Sequence, residues 1–539
     1  MATPALSPGA CAGEFSPSTL LGSSPYFVMQ KHPRVEARGF GLYSAMALPA
    51  GFRFYEESPA CVLQHAMNKS LVRACCQCQR VVGHAGAQLR HLFAAANPEV
   101  LSDFDHLPSG TFPDSCFAPV IECPGGCGEV YCSQECQRVH LERSHRFLCV
   151  GPLSETHPLV AFKRLCLEQT EILLLAAEAI CAVVTHAVEN VCFPFLSGGP
   201  QRPADSSLCD GVSEAAERAE LLHREHSRVR ELVGENAREV RTEAERLFRV
   251  LLDFAHDRWE FLGEDEGGLA EASIAHERKD VLDLACRQLF SAFSGDGTAG
   301  LPEGNPAAQQ PGAQIVASFF QQSSELLSRI AGLLEKTNSH VVVASPLNAF
   351  FRGWLANAPL AGHSRDVLAF LLREKEVAMI RALGEEEDES DEEDEMEETP
   401  ELVERRRQRR DLLSSRFADV PCEALLPEST ADEKAQDPTC GKGNRIRELV
   451  RPHAFPDVHG TGFYPSIGRM NHSCAPNVRL EFPYGTNRVA LVTTRPVQPG
   501  EELCISYVDG IETMSAEERE DALEVFGFKC SCDVCYRPR

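Results

Sequence analysis

The chain has 539 residues, 43% hydrophobic and 24% charged, as expected of an ordinary globular protein of several domains. Its formal net charge of −27 argues against sequence-independent binding to a phosphate backbone and favours basic polypeptides as partners. With 23 cysteines spread over this length, the composition excludes a disulfide-stapled miniprotein, a collagen-like fibre and a fully disordered chain.

Residues 1–25 are rich in Ala, Pro, Ser and Gly and read as a disordered leader. The first basic residue is Lys31, and no apolar run follows Met1, so no secretory signal or Arg-rich presequence is expected. The expected location is the nucleus and/or the cytoplasm, where thiols stay reduced and clustered cysteines point to metal. Residues 26–65 have strand texture, with turn signals at Arg38-Gly39-Phe40-Gly41 and Pro49-Ala50-Gly51. Residues 75–149 hold nine cysteines and little helical periodicity.

From 156 to 383 the texture is helical. Between Val229 and Trp259, apolar residues at 229, 232, 233, 240, 247, 248, 251 and 252 mark one helix face. Further helical runs cover Phe319–Lys336 and Val367–Leu383, with a Gly- and Pro-rich loop over Gly295–Gly312. The most apolar run, Ile172–Val184, is interrupted by Glu178. It is short for a bilayer and reads as a buried core helix, so no membrane association is expected. Residues 384–440 read as a disordered linker: 12 of the 14 positions 385–398 are acidic, and five arginines follow between Arg405 and Arg410. Strand texture returns over 441–511, with Arg488–Thr493 and Glu502–Val508 separated by Pro499-Gly500. The last stretch, 512–539, carries three cysteines.

The cysteines are spaced as metal ligands. Cys75 and Cys78 form C-x2-C, Cys123 and Cys127 form C-x3-C, Cys132 and Cys136 form C-x3-C, and His145 and Cys149 form H-x3-C. Thiolates with imidazole favour zinc, and eight ligands make two tetrahedral sites. Spacing alone leaves the pairing open. Cys530, Cys532 and Cys535 supply three further ligands, and a tetrahedral ion needs a fourth.

The segment Tyr131-Cys132-Ser133-Gln134-Glu135-Cys136, followed by His145-Arg146-Phe147-Leu148-Cys149, resembles a MYND zinc finger. That resemblance implies interleaved pairs: Cys75, Cys78, Cys132 and Cys136 on one ion, and Cys123, Cys127, His145 and Cys149 on the second. The Cys136–His145 spacing is one residue longer than the family's common pattern, which leaves His140 as a rival ligand. The gap from Cys78 to Cys123 is also longer than usual.

The order Arg469-Met470-Asn471-His472-Ser473-Cys474-Ala475-Pro476-Asn477, then Gly500-Glu501-Glu502-Leu503-Cys504-Ile505-Ser506-Tyr507, then the terminal cysteines, resembles the SET-domain protein lysine methyltransferases. With the finger inside it, the chain resembles their SET-and-MYND class or the related plant trithorax-like SET proteins. Gly460-Thr461-Gly462-Phe463-Tyr464 agrees with that placement. The resemblance implies an α+β fold: a β-rich SET fold split by a MYND-like finger and a large helical insert, with a zinc-bound post-SET tail. It makes Tyr507 the catalytic tyrosine. It places Arg38, Gly39, Phe40, Gly41, Asn471, His472, Tyr507 and Phe528 around S-adenosylmethionine, and supplies Cys474 as the fourth ligand of a third zinc.

The implied activity is methyl transfer from S-adenosylmethionine to a lysine of a protein substrate, a histone being one candidate. The finger would serve protein partners, and the net charge disfavours direct nucleic-acid binding. The competing reading is a zinc-stabilised scaffold of the same fold with little activity.

Overall fold

A computed structural model describes residues 24–31, 40–92, 117–196, 226–294, 306–348 and 455–535, except 152, 254–257, 263–268, 322, 509, 525 and 527. Residues 1–23 of the leader, Arg38, Gly39, the 367–383 run and the charged linker lie outside the described residues.

The chain opens with four strands, β1 (Phe27–Lys31), β2 (Phe40–Ser44), β3 (Arg53–Glu57) and β4 (Cys61–Gln64). Two short helices, α1 (Ala66–Leu71) and α2 (Ala85–Leu92), lead to the hairpin β5 (Ile121–Glu122) and β6 (Val130–Tyr131). Helix α3 (Gln134–His140) continues through a π-turn at Leu141–His145 to Leu148. Then follow α4 (Pro158–Gln169), α5 (Ile172–Leu196), α6 (His226–Glu235), α7 (Ala237–Leu252), α8 (Leu269–Ser294), α9 (Ala313–Phe320) and α10 (Glu325–Thr337). The remaining strands among the described residues are β7 (Asn338–Val343), β8 (Val458–Phe463), β9 (Asn471–His472), β10 (Val478–Glu481), β11 (Val489–Thr493) and β12 (Glu502–Ile505), and the last helix is α11 (Ala516–Glu524).

Three small sheets pair the front of the chain with its back: β1-β2-β12-β9, β10-β11-β3 and β4-β8-β7. Leu42 faces Leu503, Glu57 faces Val489 and Val62 faces Gly462 across pairs more than 390 residues apart. One apolar core fills the space between the sheets, with Leu42, Phe54, Val62, Tyr464, Leu491 and Leu503 almost fully buried. Gly460 is a packing requirement: a Cβ there would lie 2.3 Å from the Leu63 carbonyl oxygen.

The helices form a second core. In α7 the buried residues Val240, Ala244, Leu247, Phe248, Leu251 and Leu252 make one stripe, and Arg241–Glu245 and Arg246–Glu243 ion pairs lie on the outer face. The face read as continuous from 229 is broken at Asn236. Its side chain donates to the Leu232 carbonyl at 2.7 Å, and Gly234 just before it weakens the helix. Helix α5 runs 25 residues, longer than the apolar run that announced it, and is long and apolar enough to cross a membrane. It is instead packed among α4, α7 and α10, with 78% of its most apolar window buried. Its polar break has a purpose: Glu178 faces His140 at 3.9 Å and the buried Arg143, tying α5 to the finger helix.

The stretch 156–383 is not wholly helical. Residues 338–343 form β7 and pair with β8 over six positions, from Asn338↔Phe463 to Val343↔Val458. Three consecutive valines, poor helix formers that suit a half-buried sheet, explain the switch.

Candidate active site and metal centres

Asn471 and His472 form the two-residue strand β9, which runs parallel to β12 with Asn471 opposite Cys504 and His472 opposite Ile505. That pairing sets both residues beside Tyr507, which follows β12. The Tyr507 N–H donates to His472 Nδ1 at 3.1 Å, and the Tyr507 hydroxyl donates to the Met470 carbonyl at 2.8 Å. Because Nδ1 accepts, the neutral His472 carries its proton on Nε2, which faces Cys474 Sγ at 3.3 Å. Around Tyr507 stand His472, Phe526 and Phe528, with ring centroids 5.3, 5.0 and 6.1 Å away.

On the other side of β9, Asn471 Nδ2 donates to Glu502 Oε1 at 2.7 Å and to the Phe40 carbonyl at 3.3 Å. Gly41 leaves a cradle there: a Cβ would lie 2.7 Å from Glu502 Oε1 and 3.0 Å from Asn471 Nδ2. Two aromatic rings rim this region partly in solvent, Phe40 at 52% and Phe528 at 37% exposure. Phe40, Gly41, Asn471, His472, Tyr507 and Phe528 thus meet around one junction of β2, β9 and β12, whereas Arg38 and Gly39 lie outside the described residues.

Three participants were missed in the sequence. Glu502 read only as the first residue of the strand Glu502–Val508. The Met470 carbonyl is a backbone group with no residue signature. Asn477, buried, staples β12: its Nδ2 donates to the Glu502 carbonyl at 2.8 Å and its Oδ1 accepts from the Cys504 N–H at 2.8 Å. Its position at the end of the Asn-His motif was the available signal.

A cavity of about 760 Å³ opens onto Tyr507 between the sheets and the helical layer. Met470, Ile505, Phe526 and Phe482 line it, with Trp259 and Arg278 on its helical wall. Strand β7 lines it as well, through Asn338, Ser339, His340 and Val342.

The twelve expected metal ligands gather into three groups of four, each with all ligand atoms within 4.8 Å of one another. Cys132 Sγ lies 3.4 Å from both Cys78 and Cys136 Sγ. His145 Nε2 lies 3.4 and 3.3 Å from the Cys123 and Cys127 sulfurs, and Cys123 and Cys149 are 3.8 Å apart. Cys474 Sγ stands 3.4 Å from Cys535 and 3.8 Å from Cys530. A tetrahedral ion with Zn–S bonds of about 2.3 Å separates its sulfurs by about 3.8 Å, so each group fits zinc.

Without an ion the thiols compete for charge. Cys132 is driven far down by hydrogen bonds from Cys136, Cys75 and Cys78, and burial drives Cys474 up. The geometry also separates the two histidines. His140 Nδ1 meets the Tyr131 hydroxyl at 3.1 Å and burial holds the ring neutral, so it supports His145 by stacking at 4.9 Å. A π-turn takes up one residue relative to an α-helix, which accounts for the extra residue between Cys136 and His145. Of the surplus cysteines, Cys61, Cys166, Cys181, Cys192, Cys286 and Cys504 are buried small apolar side chains, and Cys76 donates to Glu129.

The SET domain family matches residues 371–508, which include β8 to β12, Asn471, His472 and Tyr507. Among curated proteins, the chain is 39% identical over 74 residues (14% of its length) to histone-lysine N-methyltransferase set5 of Schizosaccharomyces pombe. It is 40% identical over 76 residues, again 14% of its length, to human histone-lysine N-methyltransferase SMYD3. A longer match, 23% identical over 436 residues and 77% of this chain, is to histone-lysine N-methyltransferase ATXR2 of Arabidopsis thaliana. These matches span 23%, 17% and 62% of the three relatives' own lengths, in each case less than two thirds. Residues 371–508 match the SET domain, and the chain is similar to the SET-and-MYND and plant trithorax-like lysine methyltransferases.

Proposed function

We propose that this protein transfers a methyl group from S-adenosylmethionine to a lysine side chain of a protein substrate. The observation that carries the reading is the convergence of Asn471 and His472 on Tyr507, which itself lines a cavity of about 760 Å³. Similarity to proteins named as histone-lysine methyltransferases supports it and makes core histones the first acceptors to test, in the nucleus or the cytoplasm.

Transfer requires a neutral amine, whereas a free lysine has a pKa of about 10.4. Tyr507, Phe526, Met470 and Ile505 give the amine a largely apolar surround that disfavours the ammonium form. The Tyr507 hydroxyl and the Met470 carbonyl, already 2.8 Å apart, are two oxygens that can hold and orient the amine. Among the described residues β7 is the edge strand of its sheet, so its backbone can pair with an extended substrate along the cavity.

The residues that would hold S-adenosylmethionine are Phe40 and Gly41, whose bare Cα leaves the cradle, with Asn471, His472 and Phe528. Arg38 and Gly39 would extend this set. When bound, the cofactor supplies the methyl group. Asn471 offers donor and acceptor atoms to its charged amino-acid end, and the half-exposed Phe528 ring a face for its adenine. The three Cys and Cys/His groups would hold three zinc ions as closed structural sites, two building a finger able to dock protein partners and one pinning the tail beside Tyr507.

Equilibrium binding of S-adenosylmethionine tests the cradle. Wild type is expected to bind one equivalent, with Asn471→Ala and Gly41→Ala each at least about tenfold weaker, the first through loss of a charge-assisted contact and the second through a Cβ that crowds Glu502 and Asn471. No binding by wild type, or equal binding by both variants, would refute the reading.

A further inference from the structure

Glu57 is a buried carboxylate that the reaction outlined above does not use. It ends β3 with 8% exposure, and its register opposite Val489 fixes its backbone in the sheet. Both carboxylate oxygens point away from β3 into a neighbouring turn. They accept the Ser466 N–H at 3.0 and 3.2 Å, and the Ile467 N–H also bonds to the carboxylate. Ser466 and Ile467 begin the single 3-10 turn Ile467–Arg469, whose first N–H groups have no partner within the turn. The Tyr55 hydroxyl adds a hydrogen bond with Ser466 Oγ at 3.2 Å.

The far end of that turn is the active site. The Met470 N–H donates to the Ile467 carbonyl at 2.8 Å, and the Met470 carbonyl is the oxygen that accepts the Tyr507 hydroxyl. Ile467 and Met470 both line the cavity. Asn471 and His472 follow directly. A clamp at Ser466 and Ile467 therefore fixes one end of the segment that carries the Met470 carbonyl, whose other end is held by the β9–β12 pairing.

We infer that Glu57 is a positioning residue for methyl transfer, holding the turn that presents the Met470 carbonyl to Tyr507 and the substrate amine. The inference rests on the methyltransferase reading above.

The clamp carries a titratable charge. Burial, opposed by the amide hydrogen bonds, pushes the Glu57 carboxyl up to about 7. The titratable groups facing it are the phenols of Tyr55, on the same strand, and Tyr464, on the arm leading into the turn. Both are raised by burial and by the Glu57 charge, so both stay neutral near pH 7. A group raised above its unfolded value stabilises the fold fully below about pH 4.5, and that contribution is lost as pH rises through about 7. The ionised form nevertheless grips the amides more tightly, since charge-assisted hydrogen bonds are the stronger kind. The clamp thus tightens as the pH rises through 7.

The test is kcat and KM for transfer to core histones and cell extract, for wild type and Glu57→Gln, from about pH 6 to about pH 8.5. The ratio of the two kcat values cancels the ionisation of the substrate lysine. It is expected to rise through an inflection near pH 7 to about tenfold, with both KM values within about twofold. A ratio that stays within about twofold, or that is large but independent of pH, overturns the inference, the second outcome marking a merely structural carboxylate. Should Glu57→Gln not fold, Glu57→Asp keeps the charge on a shorter arm. Its kcat at about pH 8 should then fall several-fold with KM unchanged, and a kcat within about twofold of wild type overturns the inference. Absence of transfer by wild type would instead remove the methyltransferase reading on which the inference rests.

Discussion

Replacing Cys136 by serine is expected to unfold the finger, the largest loss foreseen for any single substitution. The finger has a small core: Cys75, Cys78, Val82, Cys123, Val130, Tyr131 and Cys136 make most of it, and several are the ligands themselves. Structural zinc contributes about 10–16 kcal/mol of apparent binding energy at neutral pH in isolated fingers, more than the few buried side chains that are not ligands supply at about 1.5–3 kcal/mol each. Cys136 is 3% exposed, and its N–H is held by the Ser133 side chain at the start of α3, so serine has no room to adjust. The two four-ligand groups interleave along the chain, with Cys123 and Cys127 lying between Cys78 and Cys132. Losing one ion therefore loosens the hairpin that carries half of the other. Metal analysis of purified protein should fall from about three zinc ions to one, with most of the protein insoluble. Retention of about three ions with an unchanged melting curve would exclude Cys136 as a ligand.

Cys474→Ser should have a different signature, with activity lost and the finger intact. Cys474 sits in its own small cluster with Ile511 and Leu523, and is joined to the tail through Cys530, Cys532 and Cys535. Among the described residues the tail rests on a small apolar cluster, Ile511 and Leu523 with Tyr507 and Met514 beside them, so the ion is expected to be the main tie for Phe526 and for Phe528 to Cys535. The rings of Phe526 and Phe528 would leave Tyr507, and His472 Nε2 would lose the sulfur it faces at 3.3 Å. The expected result is two retained zinc ions, a melting temperature lowered by a few degrees, and methyl transfer reduced by at least about 100-fold through lost positioning. Transfer within about threefold of wild type would show that the tail cluster does not build the site.

The Cys and Cys/His clusters were legible because ligand chemistry imposes short sequence spacings that survive any surrounding fold. The Asn-His motif and Tyr507 were legible as a family resemblance, and their contact arises from the parallel pairing of β9 with β12, which joins residues more than 30 positions apart. What could not be read was set by long-range packing. Strand β7 lies inside helical texture, and its partner β8 comes more than 110 residues later, so only the three valines hinted at it. The break at Asn236 came from one side chain competing for the backbone, a local effect that an apolar stripe does not register. Met470 acts through its carbonyl and Glu57 through two amides, and backbone partners leave no trace in residue type. The choice of His145 over His140 turned on a π-turn, which shifts the helix phase by one residue and is invisible to spacing rules.

The most direct measurement is transfer of a labelled methyl group from S-adenosylmethionine to core histones and to cell extract, with the modified residue identified by mass spectrometry. The account predicts label on lysine side chains, and a Tyr507→Phe variant that folds, keeps about three zinc ions and loses kcat by about 100-fold or more. Wild type that labels nothing beyond the Tyr507→Phe background, or that labels a residue other than lysine, would contradict it.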